Sequence, residues 1–179
     1  MSYTGFGRSN AGVFQLAYVV PDLDAAIDTW VTQHGVGPWF TMTGFSGIEP
    51  VYRGEKTTAS ISVAMAFSGT MCLELIATED NQPSVWKDHI DQHGYGFHHF
   101  GKLTTEFDAE VARYASHGHE LVYQTTIPAG GRLGFIDTTK ILPGYQELIE
   151  VTEATDPMFT QLYAAALTWD GKDPVRPIG

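Results

Sequence analysis

The chain has 179 residues, 43% of them hydrophobic and 17% charged, with a net charge of −11 from 10 basic and 21 acidic side chains. That is enough apolar material for a sizeable core, and an acidic chain with no basic stripe excludes nucleic acid as a partner. No apolar run reaches the roughly 18 residues that span a bilayer and no basic-then-apolar leader opens the chain, so no membrane partner is expected and the expected compartment is the cytoplasm.

Residues 1–11, rich in Gly, Ser and Asn, read as a loose arm. Residues 13–20 form an apolar, β-prone run, a buried strand. Pro21-Asp22 ends it, and Asp22 caps a helix over Leu23–His34 that Gly35 stops, with Asp24 placed for the helix dipole. Leu23, Ala26, Ile27, Trp30 and Val31 recur at helical spacing and give that helix its inward face. Gly37-Pro38 turns the chain into a strand over 39–43, and the mixture of Gly, Pro and charge over 44–56 reads as a loop. Strands 60–67 and 71–77 make a hairpin about Ser68-Gly-Thr70. The single cysteine, Cys72, lies in the second of these and is expected to be a small core residue, with no disulfide available.

Residues 78–83 form a linker, and 84–92 a short helix that leads into Gly94. Strand 97–104, helix Phe107–Ser116 and strands 120–126, 132–137 and 145–152 follow, with a turn at 128–131. An amphipathic helix over 156–167 precedes a polar tail ending in Asp173-Pro-Val-Arg-Pro.

Shifted by 84 positions, Phe14-Gln-Leu-Ala lies over His98-His-Phe-Gly without a gap: Gln15 on His99, Ala17 on Gly101, Asp22 on Glu106, Asp24 on Asp108 and Trp30 on Tyr114. A second match, Leu73-Glu-Leu-Ile against Gln146-Glu-Leu-Ile, puts Glu74 over Glu147 at an offset of 73. Two copies of one unit suggest an α+β fold of two tandem βαβββ modules, over 1–92 and 93–179.

If pseudo-symmetry relates the modules, Gln15 and His99 on the first strands converge with Glu74 and Glu147 on the last. Each carries a donor atom for a divalent cation. A lone strand histidine is ordinarily a hydrogen-bonded structural residue, and Gln15 could satisfy a backbone group. Glu74 is more telling, because Met71-Cys-Leu-Glu-Leu-Ile-Ala buries a carboxylate among apolar neighbours. Glu150 competes with Glu147, but three residues apart on a strand the two point to opposite faces, and the Glu-Leu-Ile match favours Glu147. By the same alternation His98 and His99 point to opposite faces, leaving His98 away from the site or behind it. His89, in the short helix, reads as a surface residue. No Gly-x-Ser-x-Gly elbow is present, and Gly94-Tyr-Gly precedes its strand, unlike a dinucleotide loop.

Three segments, Ala17-Tyr-Val-Val-Pro-Asp-Leu-Asp-Ala-Ala, Gly94-Tyr-Gly-Phe-His-His-Phe and the paired Glu-Leu-Ile strands, resemble the vicinal-oxygen-chelate superfamily, which includes glyoxalase I, methylmalonyl-CoA epimerase, extradiol dioxygenases and bleomycin-resistance proteins. The resemblance implies paired βαβββ modules whose curved, barrel-like mixed sheet encloses a metal cleft, with Gln15, Glu74, His99 and Glu147 at the ligand positions. One imidazole with three oxygen donors suits Zn²⁺, Ni²⁺, Co²⁺, Mn²⁺ or Mg²⁺. Gln15 stands where the iron dioxygenases carry a histidine, which disfavours oxygen chemistry. The strand before Glu74 carries Ser60 and Ser62 where the epimerases place a second, glutamate base.

The implied activity is that of a metal-dependent lyase or isomerase that enolises a small carbonyl substrate, with Glu147 as the catalytic base. Trp39, Phe40, Met42, Tyr52 and Phe135 are candidates for an apolar wall or for ordinary core. On a strand Phe40 and Met42 share one face and Trp39 takes the other, so not all of them line the cleft. Such a wall favours an apolar or aromatic substrate. A binding protein of the same fold that sequesters an aromatic or drug-like ligand is the alternative, and an extradiol-type dioxygenase the third. The family often forms homodimers.

Overall fold

The computed structural model describes residues 12–128 and 130–178. The expected arm over 1–11 and Ala129 of the 128–131 turn lie outside them.

The chain runs β1 (Gln15–Val19), α1 (Leu23–His34), β2 (Trp39–Phe45), β3 (Ile48–Tyr52), β4 (Glu55–Lys56), β5 (Ile61–Ser68), β6 (Met71–Thr78), α2 (Val85–His93), β7 (Gly96–Thr104), α3 (Phe107–Ser116), β8 (Leu121–Thr126), β9 (Arg132–Ile136), β10 (Tyr145–Glu150), α4 (Thr155–Leu167) and β11 (Val175–Pro177). Capping sets the first helix: Asp22 accepts the amide of Ala25 at 2.9 Å, and Gly35 closes it in the left-handed region at φ 63°.

The described strands form one curved, unclosed mixed sheet in the order β11-β2-β5-β6-β1-β7-β10-β9-β8-β3-β4. Its centre repeats itself. In the parallel β1–β6 pair Gln15 faces Cys72 and Ala17 faces Glu74, and in the parallel β7–β10 pair His99 faces Tyr145 and Gly101 faces Glu147. The antiparallel β1–β7 pair joins these halves, with Gln15 opposite Gly101 and Ala17 opposite His99. Gln15 thus meets Gly101, the counterpart of Ala17, while Ala17 meets His99, the counterpart of Gln15, as a local two-fold requires.

Both sheet edges depart from the sequence expectation. The segment read as a loop over 44–56 contains β3 and β4, and β3 pairs antiparallel with β8, at the far edge of the sheet. The segment read as a polar tail contains β11, which pairs parallel with β2. Each half thus lends a strand to the other's outer edge. That covers backbone groups which an unprotected edge would leave open.

Strand alternation sorts side chains into two layers. On the outer face α1 lays Ile27, with Trp30 beside it, over Trp39, Leu73 and Leu75, and Phe107 of α3 packs with Ile136 and Leu148. On the inner face α2 contributes Val85 and Trp86 to one cluster with Ala17, Val19 and Phe135. A second inner cluster joins Phe159 and Leu162 of α4 to Phe14, Phe40, Met65 and Cys72. A cavity lies on the inner face of the sheet.

Candidate metal centre

The inner faces of β1, β6, β7 and β10 deliver Gln15, Glu74, His99 and Glu147 to the wall of that cavity, whose volume is about 300 Å³. All four are buried, His99 completely. His99 Nε2 stands 3.2 Å from Glu74 Oε2 and 3.2 Å from Glu147 Oε2, and the three ligand atoms lie within 4.8 Å of one another. These contacts lack hydrogen-bond alignment. Gln15 Oε1, Glu74 Oε2, His99 Nε2 and Glu147 Oε2 are all buried without a hydrogen bond.

Four orphaned polar atoms in one apolar cavity are costly unless a ligand satisfies them. A divalent cation fits. Bonds of about 2.0–2.2 Å place neighbouring ligand atoms about 3.0–3.5 Å apart, the spacing of the His99 and carboxylate atoms. Burial alone would lower the His99 pKa, but the charge of Glu147 and contacts with both carboxylates outweigh it and raise it to about 9. Burial pushes the Glu74 carboxyl above its ordinary value, and the Glu147 charge adds to this while His99 opposes it.

The two candidate glutamates of β10 part company. Glu147 faces the cavity, whereas Glu150 faces α3 and accepts from the Arg132 guanidinium at 2.8 and 2.9 Å and from the Arg132 amide at 3.0 Å. Gly101 makes room for Gln15, since a Cβ there would stand 2.4 Å from Gln15 Oε1.

Alternation fails at His98. Ala17 pairs with His99 but Tyr18 pairs with Phe97, so His98 is the extra residue of a β-bulge. The imidazoles expected on opposite faces meet instead, Nδ1 to Nδ1 at 2.9 Å. His89 is likewise not a surface residue. It is 6% exposed, with its ring 5.1 Å from that of His98.

The expected wall is split. Met42 and Phe135 line the cavity, Phe40 packs nearby under α4, Trp39 lies on the outer face beneath α1, and Tyr52 donates to Asp88 of α2. Val63, Ile76 and Met158 complete much of the wall, together with Trp86 of the helix read as a linker. Only its apolar pair Val85-Trp86 marked α2 as more than a connector. Ser60 and Ser62 both donate to the exposed Glu79, outside the cavity.

Residues 14–136 match the family model described as the glyoxalase/bleomycin resistance protein/dioxygenase superfamily. Among solved structures the chain is similar to a methylmalonyl-CoA epimerase from Mycobacterium tuberculosis, 22% identical with a TM-score of 0.54 over 79% of this chain and 88% of that one. It is also similar to a variant Streptomyces coelicolor methylmalonyl-CoA epimerase in complex with 2-nitronate-propionyl-CoA, 18% identical with a TM-score of 0.58 over 82% and 98%. A hypothetical protein from Bacillus halodurans C-125 is 13% identical with a TM-score of 0.56 over 79% and 95%. At these identities the likeness is one of fold. No curated protein matches the sequence.

Proposed function

Because the chain belongs to the glyoxalase/bleomycin resistance protein/dioxygenase superfamily, we propose that Gln15, Glu74, His99 and Glu147 hold one divalent cation, and that the protein is a lyase or isomerase enolising a small apolar or aromatic carbonyl compound. The observation that carries this reading is the convergence of four buried, unpartnered donor atoms on one cavity. A cation held there supplies positive charge that polarises the substrate carbonyl. Glu147 accepts the proton from the carbon beside the carbonyl and returns it to the rearranged product, its orphaned Oε2 lying at the cavity wall. Met42, Val63, Ile76 and Phe135 exclude water from that transfer.

Among the described residues the lining contains no Lys or Arg to meet a carboxylate or phosphate. The reading therefore departs from the coenzyme-A compound bound by the Streptomyces epimerase variant. Glu74 and Glu147 are the only carboxylates among the described lining residues, and both are assigned to the cation; Glu147 is given the further role of base, and the lining offers no second one.

The apolar lining also favours a second reading, a binding protein that sequesters an aromatic ligand without turnover. A dioxygenase would need another imidazole on the cation, and both nitrogens of His98 are engaged, by His99 and by the Val85 carbonyl. Elemental analysis of the purified protein beside Gln15→Ala, Glu74→Ala, His99→Ala, Glu147→Ala and Glu150→Ala tests the proposal. One equivalent of a divalent ion, lost in most of the first four and kept in the last, supports it. A native protein without metal after reconstitution sinks it and leaves the binding reading. A cytoplasmic homodimer belongs to the same proposal, and light scattering tests the dimer. No described helix is long and apolar enough to cross a membrane.

A further inference from the structure

The bulge in β7 creates a side-chain arrangement that the metal centre does not by itself require. His98 is fully buried, with Phe135 and Tyr145 rings 5.7 and 5.1 Å from its own. Its two ring nitrogens have different partners. Nε2 lies 3.3 Å from the carbonyl oxygen of Val85, the first residue of α2, and Nδ1 lies 2.9 Å from Nδ1 of His99.

Those contacts determine the proton positions by elimination. A carbonyl oxygen only accepts, so His98 Nε2 carries a hydrogen. In a neutral ring His98 Nδ1 is then a bare lone pair, and the hydrogen shared with His99 must sit on His99 Nδ1. When His99 is neutral, its own bare nitrogen is Nε2, the atom between Glu74 and Glu147. The reverse assignment would set His98 Nε2 against the Val85 oxygen with two lone pairs opposed. The chain of contacts ends on a peptide carbonyl, which neither takes up nor releases a proton, so it orients the ring rather than relaying protons.

We propose that His98 is a positioning residue: the Val85 carbonyl fixes its tautomer, and it in turn holds His99 with Nδ1 protonated and Nε2 presented to the divalent cation. Outer partners of this kind keep a ligand ring in orientation and raise its basicity. The proposal rests on the cation reading given above, and its test separates the two.

The first measurement is a two-bond proton–nitrogen correlation spectrum of the full chain labelled with ¹⁵N-histidine. His98 should show a protonated Nε2 and a bare Nδ1. The opposite tautomer overturns the proposal whatever the metal does. The second is Zn²⁺ affinity by competition with a chromophoric chelator for the native chain, His98→Asn and His98→Phe. Asparagine offers an oxygen to the His99 Nδ1 hydrogen; phenylalanine fills the space and offers nothing. His98→Phe should bind Zn²⁺ about 10- to 100-fold more weakly, with His98→Asn within about three-fold of native. Native-like affinity in His98→Phe, or an equal loss in both variants, overturns the positioning role. If the phenylalanine variant does not fold, the spectrum and the asparagine variant still decide. A native chain with the expected tautomer that takes up no Zn²⁺ overturns the cation reading and the positioning role with it.

Discussion

Across the β1–β7 pair Gln15 faces Gly101, and a Cβ on Gly101 would stand 2.4 Å from Gln15 Oε1 and 2.7 Å from Gln15 Cβ. The space that Gln15 occupies is thus the space a side chain on β7 would take. Gly101→Ala is expected to push the amide from the cavity wall and to destabilise the fold by about 1–3 kcal/mol, the usual scale of overpacking. Zn²⁺ affinity should fall in parallel with that of Gln15→Ala. Urea unfolding and chelator competition measure both; native-like affinity would mean that Gln15 is not a ligand.

Glu147 and Glu150 should separate cleanly. Glu147→Gln is expected to lose bound metal and activity together. Glu150→Gln weakens a partly exposed contact with Arg132 and should cost no more than about 1 kcal/mol. Metal content and urea midpoints of the two variants check this, and metal loss confined to Glu150→Gln would reverse the assignment.

His89 makes stability sensitive to acid. Burial first, then the positive fields of His93 and His99, hold its imidazole below the ordinary value. In the unfolded chain it titrates near about 6.5. Below that pH the unfolded chain binds a proton that the folded one refuses, so this contribution is whole above about 6.5 and is lost as pH falls through the folded value. His89→Phe, which keeps a ring against Tyr145 and His98, should show a smaller drop in urea midpoint between pH 7.5 and 5.5 than the native chain. Equal drops would assign the acid sensitivity elsewhere.

Phe135 stands between His99 and α2, its ring 5.0 Å from that of His99 and 5.9 Å from that of Trp86. Phe135→Ala should cost about 3–5 kcal/mol through loss of packing and the cavity left behind, and Phe135→Leu distinctly less. Thermal and urea unfolding give the comparison. Similar small losses in both would mean that the aromatic cluster collapses around the gap.

The C-terminal strand is a structural part of the sheet. Trp39 donates its amide to the Pro174 carbonyl at 2.7 Å and Ile178 to Thr41 at 2.9 Å. Deleting residues 174–179 removes both bonds and the Ile178 side chain from the cavity wall. A loss of at least about 2 kcal/mol, the net worth of those two bonds before the β2–β11 ladder is counted, is expected, along with a tendency to associate through the bared β2 edge. Unfolding and light scattering read the two effects, and an unchanged midpoint would refute the structural role.

Much of this molecule is written locally. The caps at Asp22 and Gly35, the helical spacing of Ile27 and Trp30, and the apolar run around Glu74 each act over a few residues, so α1 and the inner strands such as β6 could be placed from the chain alone. The 84-residue offset between Gln15 and His99 likewise names two of the four cavity residues before any coordinate is known.

Tertiary structure decided what depends on distant partners. β3 becomes a strand by pairing with β8, and β11 by pairing with β2, although their own sequences carry turn residues and charge. The bulge that turns His98 inward arises from the register between β1 and β7, which a single strand does not encode. His89 is buried because α2 folds over the site, not because of its neighbours in the chain. Local propensity acts through the backbone of adjacent residues, whereas edge pairing, register and helix docking are set by contacts far apart in sequence.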